Sequence, residues 1–292
     1  MFPEKKFDAD GISLNYAEGP SSGPPLILIH GFPGCWQEFL PLLPHLMLQW
    51  HIYALDLRGQ GHSGRVEGQY HSSFYSMDLI SFLQQKITEP AVLYGNSAGG
   101  LFVLDTASKI PERVKAIILG DSPIDMEYLK EWMASDGFKA HFTAERSIAA
   151  SNHSIDEMMK ELAEIPVVND SAATVRYGDL PGIDETDLRS FAITLKNLDP
   201  GVLDYHADGR VEEYVQGFDL DRIFDSISCP VLLIQANPEL GALMTDRSVK
   251  NALARLKHGH HVLIKETGHS LGMDNWQVAP LLRALMTFLE SL

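Results

Sequence analysis

The stretch YGNSAGG, Tyr94 to Gly100, decides how the rest of the chain is read. The apolar run PAVLYGN (90–96) leads into it with the make-up of a strand, and AGGLFVLDTASK (98–109) leaves it with helical periodicity, so Ser97 falls on the turn between them. Glycines at 95 and 99 allow a sharp turn that lifts the serine hydroxyl clear of a sheet. The start of the helix offers free amides and a positive dipole end beside it. G-x-S-x-G between strand and helix suits a mounted nucleophile; a Gly-Ser-Gly turn without chemistry is the alternative.

Outward from that turn, short apolar runs recur at PPLILIHG (24–31), HIYALDL (51–57), AVLYGN (91–96), VKAIILGD (114–121), PVLLIQAN (230–237) and HVLIKETG (261–268). They have the character of strands buried on both faces. Helical patterns separate most of them: WQEFLPLLPHLM, SFYSMDLISFLQQK, AGGLFVLDTASK, DRSVKNALARL and NWQVAPLLRALMTFLESL. This alternation predicts an α/β chain with a mainly parallel sheet and helices on both faces. At the N-terminus, alternation at Ile12, Leu14 and Tyr16 after the turn DADG predicts an antiparallel hairpin at the sheet edge. From Ser122 to about Ile227 there is no buried-strand pattern, only helical segments such as DMEYLKEWMA, SIDEMMKELAEI and ETDLRSFAITLKNL. A stretch of that length is too long for a loop, so a helical insertion capping one edge of the sheet is expected.

Composition excludes several roles. With 292 residues, 45% hydrophobic and 21% charged, the chain can bury a large core. A formal net charge of −16 is the wrong sign for nucleic acid or an anionic membrane surface, which leaves a small-molecule substrate as the expected partner. No stretch signals or excludes a homodimer. Cys35 and Cys229 are too few for a disulfide framework and too far apart for a metal pair, so free thiols are expected. MFPEKKFDADG has no apolar export region and no later stretch is long enough to span a bilayer, so a cytoplasmic location is expected.

Together, HGFPG (30–34), DLRGQGHS (56–63), GNSAGG (95–100) and GHS (268–270) resemble the α/β-hydrolase family, over residues 1–121 and 229–292 with 122–228 as the inserted helical cap. The resemblance implies a hydrolase with Ser97 as nucleophile and the backbone amides of Phe32 and Ala98 as the oxyanion hole. It also implies a base late in the chain, which points to His269 in the loop after the last strand. His30, directly at a strand end, is read as a loop-bracing residue. His258, His260 and His261 have the look of a metal cluster but lack a carboxylate or thiol partner at ligand spacing, and a loop at the amino-end rim of the sheet is the preferred reading.

The acid stays open between two carboxylates. Glu239, in NPELGALMTD after PVLLIQA, occupies the place where the family most often has Asp; Asp121, ending AIILGD, occupies a second position that some members use. Asp121 is preferred narrowly, because it leaves its strand directly toward the site while Glu239 is longer and follows Pro238; Asp246 is the next candidate. Arg58 and His62 are read as structural, and Trp132, Met133, Met158 and Met159 as core or as lining of an acyl pocket.

Three functions follow as hypotheses. The first is a serine hydrolase cleaving a carboxylic ester, thioester or lactone through an acyl-enzyme, with no cofactor, as fits the absence of any cofactor motif. The second is a carbon-carbon bond hydrolase of the meta-cleavage-product kind, whose GNSMGG is similar to GNSAGG, although HGFPG lacks that group's more glycine-rich segment. Epoxide hydrolases and haloalkane dehalogenases share HGFPG but require an Asp where Ser97 stands. The third is a catalytically silent ligand-binding receptor on the same fold, which a fluorophosphonate probe would fail to label.

Overall fold

The computed structural model describes residues 2–168, 174–180 and 183–292. Ten strands are present among them: β1 (Glu4–Ala9), β2 (Ile12–Glu18), β3 (Pro25–Ile29), β4 (His51–Leu55), β5 (Ala91–Asn96), β6 (Val114–Gly120), β7 (Pro166–Val168), β8 (Thr174–Arg176), β9 (Val231–Gln235) and β10 (Gly259–Leu263). Eight of them form one sheet in the order β1-β2-β4-β3-β5-β6-β9-β10. β1 and β2 are the antiparallel hairpin expected from the alternation, turned through Asp10 and Gly11, both at positive φ. That conformation suits the twist of a tight hairpin, and Asp-Gly supplies it cheaply. From β4 to β10 every neighbouring pair is parallel.

The helices that connect the sheet are α1 (Leu43–Leu46), α2 (Ser72–Gln85) and α3 (Ala98–Lys109). Between β6 and β9 come α4 (Met126–Ala134), α5 (Asp136–Ala150), α6 (Ile155–Ala163), α7 (Glu185–Lys196), α8 (Asp204–Ala207), α9 (Val211–Tyr214) and α10 (Leu220–Ser226). Last are α11 (Asp246–Arg255) and α12 (Ala279–Leu289). Because side chains alternate along a strand, each central strand feeds two cores. Ile27, Ile29 and Leu93 pack with Phe82 of α2 and Phe102 of α3, while Leu26, Leu28, Val92 and Tyr94 pack on the opposite face with Leu285 and Phe288 of α12.

Several sequence expectations are corrected in detail. WQEFLPLLPHLM forms only a single 3-10 turn at Trp36–Phe39 and the short α1, because Pro41 and Pro44 interrupt helical hydrogen bonding. HVLIKETG is not a doubly buried strand: β10 ends at Leu263, lies at the sheet edge and is partly exposed along its length. The long stretch after Ser122 also contains α5 and the small antiparallel pair β7-β8, neither read from the sequence. Met133, Met158 and Met159 belong to the core, and Trp132 packs half-buried against it, edge-on to Phe138 at 4.6 Å between ring centres.

The close fit of α3 onto the sheet has a single-residue test. A Cβ on Gly99 would lie 2.5 Å from the Ile29 carbonyl oxygen and 2.7 Å from that of His30, backbone atoms that cannot swing aside. Gly99→Ala is therefore expected to destabilise the chain by roughly 1–3 kcal/mol through overpacking, read as a lower urea midpoint; an unchanged midpoint would mean α3 is free to shift.

Candidate active site

The order β4-β3-β5 places β3 where the winding of the sheet reverses. The loops leaving adjacent strands there diverge and open a crevice at their carboxyl ends. At the end of β5, Ser97 adopts φ 51° and ψ −125°, a conformation that costs a non-glycine residue on the order of 1–3 kcal/mol. Its N–H donates to the Gly120 carbonyl at 2.8 Å, tying the turn to the end of β6. Ala98 opens α3, so its N–H has no acceptor within the helix. The loop after β3 passes alongside: a Cβ on Gly31 would come within 2.8 Å of Ser97 Cβ. Phe32, next in that loop, is held by its ring against Tyr75 at 5.0 Å and Phe102 at 5.6 Å.

His269, in the loop after β10, sets Nε2 3.0 Å from Ser97 Oγ and Nδ1 2.7 Å from Asp121 Oδ2. With Nδ1–H donating to the carboxylate, Nε2 is left to accept from the serine hydroxyl. Asp121 is fully buried at φ 38°. Besides the imidazole, Oδ2 accepts the Leu243 N–H at 2.8 Å, and Oδ1 accepts the N–H groups of Ala236 and Met244, each at 3.2 Å. Those amides offset the loss of water around a buried carboxylate.

Glu239 is not brought into this constellation. It sits exposed on the turn Pro238–Leu240, where its N–H donates to Asn237 Oδ1 at 2.9 Å. The loop that carries it serves Asp121 instead, through the amides just named. Asp246 accepts from Gln235 Nε2 at 2.8 Å, away from His269.

Phe32, Ser97 and His269 line a cavity of about 460 Å³, whose wall also carries residues of α5 and α7. One residue of this wall went unread in the sequence. Glu38, in the Trp36–Phe39 turn, accepts a hydrogen bond from Asn96 Nδ2 at 2.7 Å, one residue before the serine. Burial pushes its carboxyl up to about 7, against the pull of hydrogen bonds from Asn96 and the Gly31 N–H and of the nearby His269. A lone acid next to Gln37, between the apolar Trp36 and Phe39, was the available signal.

The other histidines fall elsewhere. His30 is buried, with Nδ1–H donating to the Gly31 carbonyl at 2.7 Å and Nε2 accepting the Leu57 N–H at 3.0 Å, and burial holds it below the usual imidazole range. His260 and His261 lie in β10 rather than in a loop. No group of three or more His, Cys, Asp or Glu among the described residues is arranged to hold a metal ion. Burial pushes the Cys35 thiol up to about 12 and Cys229 to about 11, so neither is a ready nucleophile. Arg58 donates through Nε to Asp78 at 2.7 Å in a buried pair that braces the loop after β4.

Glu38 yields a pH prediction. An acid titrating near 4.5 when unfolded and near 7 when folded holds its proton more tightly in the folded chain. Its contribution to stability is then complete below about 4.5 and is lost as pH rises through 7. Glu38→Gln cannot ionise, so its melting temperature relative to wild type should rise between pH 5 and pH 8. A difference that stays constant across that range would remove Glu38 as the titrating group.

A family model described as alpha/beta hydrolase fold matches residues 24–275. The chain is 29% identical over 143 residues to a 2-(acetamidomethylene)succinate hydrolase of Mesorhizobium japonicum, covering 49% of this chain and 50% of that protein. It is 30% identical over 179 residues to a 2-hydroxymuconate semialdehyde hydrolase of a Pseudomonas species, covering 58% of each. The first curated relatives are matched over only 21% to 51% of their own length. Among solved structures, an N-formylmaleamic acid deformylase from Pseudomonas putida superposes with a TM-score of 0.75 at 17% identity, covering 97% of this chain and 100% of that one, a likeness of fold.

Proposed function

The chain belongs to the alpha/beta hydrolase fold family, and from that premise we propose that it is a serine hydrolase cleaving a small carboxylic ester, thioester or lactone. The observation that carries the reading is the continuous contact from Ser97 Oγ to His269 Nε2 at 3.0 Å and from His269 Nδ1 to Asp121 Oδ2 at 2.7 Å. In this reading His269 takes the hydroxyl proton as Ser97 Oγ bonds to the substrate carbonyl carbon, and Asp121 fixes the tautomer and stabilises the imidazolium. The amides of Phe32 and Ala98 receive the oxygen that becomes negative, at a helix N-terminus that favours it. His269 returns the proton to the leaving alkoxide or thiolate. A water, activated by the same imidazole, then cleaves the acyl-enzyme and releases the acid.

Cleavage of a carbon-carbon bond is the second reading, favoured by the similarity to a protein named 2-hydroxymuconate semialdehyde hydrolase and compatible with the same serine and base. A series of p-nitrophenyl and thioester substrates of increasing chain length, run beside a vinylogous diketone, separates the two. Epoxide opening is disfavoured because a serine stands where that chemistry needs a carboxylate.

Ser97→Ala should leave the fold intact and lower kcat by ~10⁴ to 10⁶, with loss of fluorophosphonate labelling. Retention of a tenth of the activity would assign the nucleophile elsewhere, and a wild-type chain that ignores the probe would favour a binding protein.

Asp121→Asn should cost ~10⁴ in kcat by imposing the wrong hydrogen-bond polarity on the imidazole, whereas Glu239→Gln should change little. The reverse outcome, measured on one ester, would move the acid to the loop after β9.

A further inference from the structure

Helix α5 buries Phe138, Phe142, Glu145 and Ile148 on one stripe, so a carboxylate occupies a position that helical spacing assigns to an apolar residue. Glu145 is 1% exposed. One carboxylate oxygen, Oε1, is 2.7 Å from His141 Nε2, one turn earlier on the same helix. The other, Oε2, has no hydrogen-bond partner among the described residues, and neither has His141 Nδ1. Both residues line the cavity that contains Ser97 and His269.

A buried carboxylate oxygen without a donor, on a residue that lines a cavity, is costly unless a group that enters the cavity supplies one. The rest of the wall narrows what that is. The carboxylates of Glu38 and Asp274 also line the cavity, and no Lys or Arg does among the described residues. An anionic group placed there would meet Glu145 and Asp274, beside a Glu38 that burial keeps protonated up to about pH 7, and no permanent cation, whereas a neutral or cationic donor would complete Glu145.

We propose that Glu145, positioned by His141, is a specificity-determining residue that selects substrates carrying a hydrogen-bond donor, an amide N–H, hydroxyl or ammonium, and rejects those carrying a carboxylate. The assignment deepens the serine hydrolase reading and rests on it for the reaction, though not for the binding. Discrimination of this kind is strong in principle, because a ligand lacking the donor leaves a buried polar group unpaired. His141 takes up Oε1 and leaves Oε2 as the oxygen that a ligand's donor would complete.

The test separates binding from turnover. Three p-nitrophenyl esters of matched length, of N-acetyl-β-alanine, of hexanoic acid and of glutaric acid as its free monoacid, are titrated into Ser97→Ala protein by calorimetry. The amide-bearing ester should bind ~10-fold more tightly than the hexanoate, the expected scale for one donor to a buried carboxylate, and the glutarate should bind weakest. In Ser97→Ala/Glu145→Gln the first difference should collapse while hexanoate affinity stays unchanged. Equal affinities in the Ser97→Ala background, or preference for the glutarate, would overturn the assignment; so would a loss spread evenly over all three esters in the double variant. Should the double variant not fold, the ranking in Ser97→Ala alone still decides. Fluorophosphonate labelling of wild type, run in parallel, reports on the hydrolase reading: no labelling with the affinity ranking intact would remove the reaction and leave the donor subsite standing.

Discussion

Everything at the site depends on how closely helix α3 can approach strands β3 and β5. A Cβ on Gly95 would lie 2.5 Å from the carbonyl of Gly99, and one on Gly99 would strike carbonyls of β3 and its loop, so the two glycines are the clearance through which the chain turns. Only with that clearance can Ser97 be held at positive φ with its hydroxyl above the strand ends. The strain persists because the surroundings over-determine it: the N–H of Ser97 is tied to β6 and the loop after β3 is wedged against its Cβ. The helix start then falls beside the hydroxyl as a consequence of packing.

The placement of the buried acid follows from the same geometry. Asp121 follows β6, the strand next to β5, and reaches His269 while still within the cover of the sheet. A carboxylate this deep needs donors, and the chain after β9 supplies three backbone amides to it. A glutamate on the exposed Pro238–Leu240 turn has no such shell. Its longer side chain would lose more rotamer freedom to reach the imidazole and gain no amides on arrival. The two loops divide one task, the first bringing the charge and the second its solvation.

Much of this was legible because it rests on local rules. Unbroken apolar runs identified the central strands, alternation after DADG identified the hairpin, and Gly95 with Gly99 marked the turn at Ser97. What escaped notice was decided across long sequence distances. Glu38 reads as an ordinary surface acid until Asn96, 58 residues away, is seen to donate to it. Glu145 is a good helix former in a helix rich in polar residues, and only the spacing Phe138, Phe142, Glu145, Ile148 betrays that it faces inward. The edge strand β10 misled for the opposite reason: Val262 and Leu263 give it an apolar look, but no strand among the described residues pairs with its outer side.

Three groups that cost the free chain stability lie around one cavity. Ser97 sits in an unfavourable backbone region, Glu38 holds a carboxyl drawn out of water, and Glu145 keeps an oxygen without a donor. Each is on the order of 1–3 kcal/mol against the fold, and a leucine at 145 would continue the apolar stripe of α5 at no such cost. Packing therefore gives no reason for the acid at that position. The two cores on either face of the sheet are apolar and closely filled, so they carry the stability that lets the cavity wall depart from it. The sheet brings Ser97, His269 and Asp121 together and α5 places Glu145 in the wall that faces them, so the two sets of groups stand on separate elements of one chain.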